Sequence, residues 1–137
     1  MEIKFPIEFI VQGTPVSLQA DRPAAKAAWK ERVKAASSTS LPQPHFVSQD
    51  RIALTIYNLP ALPMQGDLDN IVKLIVDALV RHIYVDDKQV ERIVVQKFEP
   101  ENGFPFSAPS ETLAKALDGP KPSVYIRIIS DPFEDLK

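Results

Sequence analysis

The stretch that most constrains this chain runs from Gly66 to Val90. Two acids spaced two apart, Asp67 and Asp69, precede an apolar run, and a second pair, Asp86 and Asp87, follows it. Ile71, Val72, Leu74, Ile75, Val76, Leu79 and Val80 cover most of the circumference of a helix predicted from about Leu68 or Asn70 to Arg81. Only Asp69, Asn70, Lys73 and Asp77 form a polar stripe. A helix that is apolar almost all round belongs in a core, so the acids at its two ends read as the rim of a site on a buried scaffold.

Each acid taken singly has an ordinary explanation. Asp67 or Asp69 could accept the orphan N–H groups of a helix start, and Asp86-Asp87 could be a turn. The combination of two pairs with a lysine on the same stripe points instead to a site. Carboxylates gathered in a partly dry cleft repel unless a cation neutralises them. Hard oxygen ligands without cysteine or histidine favour Mg²⁺, with Mn²⁺ as the alternative, over Zn²⁺. Such an ion accepts phosphate oxygens, which makes hydrolytic phosphoryl transfer the natural reaction class. Lys73 would then stabilise charge on the scissile phosphate. Its plainer role is an Asp69 to Lys73 helix pair worth roughly 0.3 to 0.5 kcal/mol.

Around this stretch, Ile3 to Val11 alternates as a strand whose Pro6 requires an edge or a bulge. Arg51 to Tyr57 forms a second strand, ending at Pro60. Val90 to Phe98 carries apolar residues on both faces and reads as a central strand. Val124 to Ile129 is the last. A first helix is expected from about Arg22 to Ala36, with Asp21 as its cap, Pro23 in its first turn, and Trp29 and Val33 in the core. Ser110 would cap a short helix from Glu111 to Leu117, closed by Gly119. His45 reads as a solvated loop histidine, and His82 as a partner of the second helix's C-terminal dipole. The fold class is α/β: one small domain over 1–137, with a mixed sheet of about four strands, two main helices and a frayed acidic tail at 130–137.

The 137 residues include no cysteine, which excludes disulfides, thiolate metal sites and thiol nucleophiles and fits a reducing, cytoplasmic setting. No run approaches a membrane span, and the first residues have no apolar leader. Sixteen basic against eighteen acidic residues leave a net charge of -2, so a nucleic-acid partner must be met by a local patch. Arg22, Lys26, Lys30 and Lys34 supply one, as successive i, i+4 neighbours on the first helix. Alone they would be a solvated face, but like charges at that spacing are more comfortable beside a phosphate backbone.

Asp67-Leu-Asp-Asn70, Lys73, Asp77-Ala-Leu79 and Asp86-Asp-x-Gln-Val90, in that order and spacing, resemble the core pattern of the RusA family of Holliday junction resolvases. The resemblance covers about 25 residues directly. It implies a small α/β homodimer that uses Mg²⁺ to place paired nicks in branched DNA such as a four-way junction. It makes Asp67, Asp69 and Asp87 the metal-binding catalytic acids, Lys73 the essential cation, and Asp86 a weaker metal candidate. Family members commonly carry basic residues just before the first acid, where this chain has Leu62-Pro-Met-Gln-Gly66. The ridge on the first helix, with Arg32 and Arg51, is expected to substitute. The connection from Glu99 to Pro122 reads as an insertion. Two other functions fit the same residues: a branched-DNA-binding protein with little or no cleavage, and a metal-dependent hydrolase of small phosphorylated substrates.

Overall fold

The computed structural model describes residues 1–101, 103 and 106–136. Its four strands, β1 (Ile7–Gln12), β2 (Ile52–Leu59), β3 (Val90–Lys97) and β4 (Ser123–Ile129), form one mixed sheet in the order β1-β4-β2-β3. β4 lies antiparallel to both β1 and β2, and β2 and β3 run parallel. The parallel pair needs a crossover, which the acidic stretch supplies. β1 is an edge strand, as Pro6 requires, and begins just after that residue because proline cannot donate to a ladder.

β3 is the other edge, not a central strand. Its apolar residues on two faces serve two separate clusters: Val90 and Val95 pack on the main core, whereas Phe98 belongs to the second. The central strands are β2 and β4, which are buried along nearly their whole length.

One face of the sheet carries α1 (Pro23–Ser38) and α2 (Val72–Ala78), which pack Trp29, Val33, Leu74, Ile75 and Leu79 on the inward residues of β1, β2 and β4. The other carries α3 (Glu111–Asp118), whose Leu113 and Ala116 meet Leu59, Phe98 and Tyr125. The short third helix expected from Glu111 thus covers the face of the sheet opposite the two others. α3 starts where expected, with the Ser110 hydroxyl accepting the Leu113 N–H, and Ser110 itself donates to Glu8 of β1. In α1, by contrast, Arg22 occupies the cap position and no side chain caps the helix, so Asp21 does not play the role its position suggested.

Near the C-terminus Glu134 pairs with Arg127 at 3.4 Å, and the Arg51 guanidinium lies 5.1 Å from the Phe133 ring centre. Lys137 lies outside the described residues. Among the described residues no helix is long and apolar enough to cross a membrane.

Candidate active site

Gly66, at φ 81°, turns the chain out of the loop after β2 and presents Asp67 in extended conformation. A 3₁₀ turn, Leu68–Ile71, then runs directly into α2. Asp67 stands at the cap position of that turn but makes no side-chain cap bond, so capping does not account for its carboxylate. Ile71, Leu74 and Ile75 are buried and fix the helix, which leaves Asp69 and Lys73 exposed on the polar stripe read from the sequence.

α2 ends at Ala78, three residues short of Arg81. The Leu79 carbonyl accepts from the N–H groups of both His82 and Ile83, and Arg81 adopts a left-handed φ of 62° that closes the turn. Tyr84 is fully buried there and donates its hydroxyl to the Val76 carbonyl at 2.6 Å. Burial, reinforced by the nearby charges of Asp77 and Asp87, raises the pKa of that phenol, so it remains a donor.

This turn brings Asp86 and Asp87 back beside the helix. Lys73 Nζ donates to Asp77 Oδ1 at 2.9 Å and to Asp87 Oδ2 at 3.2 Å. The two bonds, that to Asp77 first, raise the lysine pKa and keep the ammonium charged. Asp69, Lys73 and Asp87 line one cleft of about 290 Å³, walled by Val72, Val76, Val90 and Ile93. Asp67 is not on that cleft: it lines a separate, mostly apolar cavity of about 350 Å³ with Asn58 and Met64. Asp86 is engaged as a cap: its Oδ1 accepts the Lys88 N–H at 3.1 Å, and that bond, followed by one with Asp87, holds its carboxyl below the usual range.

The side chains nearest the cleft fit a hard divalent cation in donor type, since they offer carboxylate oxygens and neither imidazole nor sulfur. Among the described residues, however, no three acids or histidines are gathered closely enough to hold an ion. Lys73 supplies the positive charge between Asp77 and Asp87.

The basic ridge divides by role. Lys26 donates to the Leu18 carbonyl, whereas Lys30 lines a cleft with Asp86 and Asp87. Arg32 donates to the Gln12 carbonyl at 3.2 Å and Arg51 pairs with Glu91 at 2.9 Å, so neither replaces a basic run beside Asp67. His45 is half-buried, not solvated, with Nε2 2.7 Å from the His82 carbonyl oxygen. His82 reaches Ser37 Oγ of α1 at 2.8 Å rather than the end of α2. Gln89, part of the motif but without a role assigned from the sequence, emerges as a positioning residue. It accepts from the N–H groups of Val85 and Asp86 and donates to the carbonyls of Ser48 and Asp50. Its place three residues after an aspartate is the capping-box spacing, a signal that the sequence did carry.

Residues 13–105, about two-thirds of the chain, match the family model described as endodeoxyribonuclease RusA. A comparison with curated proteins finds no match.

Proposed function

The chain belongs to the endodeoxyribonuclease RusA family, and from that premise we propose that it is a Mg²⁺-dependent, structure-selective endodeoxyribonuclease. It resolves Holliday junctions and related branched DNA by hydrolytic nicking. The observation that carries this reading is the placement of Asp69, Lys73 and Asp87 on one cleft, although Asp87 lies beyond the helix that bears the other two.

Asp69 and Asp87, which share the cleft, would hold Mg²⁺ or Mn²⁺, joined by Asp67 once the ion draws the acids together, with Asp86 a weaker fourth candidate. When bound, the metal supplies Lewis acidity and an activated water for attack at phosphorus. The chain's own residues do the rest. Lys73 directs its ammonium at the charge that builds on the scissile phosphate, and Asp77 holds that ammonium in place. Val72, Val76, Val90 and Ile93 keep one wall of the cleft apolar, so the charges facing it are less screened than in open water. Lys30 is the ridge residue closest in role to a DNA contact, with Arg22, Lys26 and Lys34 extending the positive face. A homodimer with a two-fold axis would present two such sites to a four-way junction, matching the symmetry of paired nicks.

A nicking assay on a synthetic four-way junction with Mg²⁺ tests the reading. The wild-type chain is expected to cut opposing strands, and Asp69→Asn to bind the junction without cutting it. Equal cutting by both proteins would remove Asp69 from the mechanism. Binding by the wild type without cutting in either Mg²⁺ or Mn²⁺ would make the protein a junction binder.

A further inference from the structure

Arg81 occupies a backbone position that its side chain disfavours. Its φ of 62° lies in the left-handed region, where Cβ crowds the backbone and glycine is the natural occupant. The turn dictates this conformation: the Arg81 N–H donates to the Tyr84 carbonyl, and Tyr84 is locked in the core. A glycine would close the same turn without strain, so the fold does not account for an arginine there.

The surroundings do. Arg81 lines a cleft of about 410 Å³ together with Lys30 of α1, Asp77, Asp86 and Asp87. Asp77 and Asp87 are also the two acids that hold Lys73, so this cleft adjoins the one where the scissile phosphate is proposed to sit. Among the described residues, neither Lys30 nor Arg81 is within ion-pair distance of a carboxylate. Two cations from different elements thus face one opening beside the acids, with their charges uncommitted. We infer that Arg81 and Lys30 form a subsite for a phosphodiester of the bound DNA strand flanking the cut, with Arg81 its principal donor. A guanidinium suits this because its planar fork pairs two N–H groups with two phosphate oxygens. Positive charge here also offsets the repulsion between Asp86, Asp87 and an approaching DNA backbone.

The inference rests on the nuclease reading, and the test separates the two. Binding of the full chain to a fluorescently labelled four-way junction is followed by anisotropy across a KCl series, with Ca²⁺ replacing Mg²⁺ to prevent cutting. Arg81→Gly is expected to melt at or above the wild-type temperature, because it relieves the strained backbone. It should nevertheless bind on the order of threefold to tenfold more weakly, with a salt dependence shallower by about one unit, as loss of one phosphate contact requires. Arg81→Lys should keep the wild-type slope, and Arg81→Gln, which retains the side-chain stem, should lose it as the glycine variant does. Wild-type affinity and slope in both Arg81→Gly and Arg81→Gln would overturn the subsite and leave the nuclease reading intact. A wild-type chain that binds no junction would overturn both.

Discussion

Lys73 Nζ lies 3.2 Å from Asp87 Oδ2, which ties the first turn of α2 to a residue fourteen positions later. The ammonium is about half exposed, so the pair adds only a few tenths of a kcal/mol to stability after solvent screening. Its value is expected in catalysis. Lys73→Met should fold normally and lower the nicking rate by about a hundredfold, the usual cost of removing one donor to a charged transition state. Because the bonds to Asp77 and then Asp87 raise the lysine pKa, on the alkaline side its ion pairs persist up to and beyond the ordinary lysine value. There they are lost only as pH rises through the raised one. An alkaline fall in rate well below the lysine range, abolished by Lys73→Arg, would contradict this assignment.

The adjacent acids Asp86 and Asp87 should behave differently. Asp86 accepts the Lys88 N–H as an N-cap, a task that asparagine or serine also performs. Asp87 instead faces the cleft and Lys73. Nicking rates with Mg²⁺ should therefore stay within about tenfold of wild type for Asp86→Asn and fall by several orders of magnitude for Asp87→Asn. Comparable losses in the two variants would give Asp86 the same role as its neighbour.

What the sequence disclosed follows the range of the interactions involved. The stripe of Asp69, Lys73 and Asp77 was legible because helical periodicity is local, and all four strands were legible from their apolar residues. Strand order was not, since the edge position of β3 depends on which strands pair across long separations. Its Phe98 looked like the mark of a central strand, but it packs in the cluster built around α3. The end of α2 was misplaced because the apolar pattern continues to Val80, whereas Tyr84 folds back onto Val76 and the chain turns at Arg81. His45, solvated by any reading of its loop, is drawn in by a carbonyl 37 positions away.

Protonation of His82 should weaken the fold. Burial first, then the charges of His45 and Lys34, lowers its pKa, although Glu31 opposes them. The neutral ring can donate from Nε2 to Ser37 Oγ, whose own proton goes to the Lys34 carbonyl. A histidine with a lowered pKa contributes stability above its ordinary value and loses it as pH falls through the lowered one. Urea midpoints should consequently drop between neutral pH and about pH 5, and drop less in His82→Gln. An identical acid dependence in that variant would place the titrating group elsewhere.

Gln89 sets the position of the returning acids without touching their carboxylates. Its Oε1 accepts the N–H groups of Val85 at 2.8 Å and Asp86 at 3.0 Å, and its Nε2 donates to the carbonyls of Ser48 and Asp50, both at 2.9 Å. Both donors and both acceptor sites of the amide are thus in use. Glutamate keeps the acceptor side but turns an oxygen toward two carbonyls, so Gln89→Glu should cost about 1 to 3 kcal/mol, the penalty for leaving partly buried polar groups unmet. If this brace holds Asp87 in the cleft, kcat for junction nicking should fall in Gln89→Glu and in Gln89→Ala. KM should change little, because Lys30, Lys73 and Arg81 do not bond to the brace. Loss of stability with kcat unchanged would mean that Asp87 keeps its place through Lys73 alone.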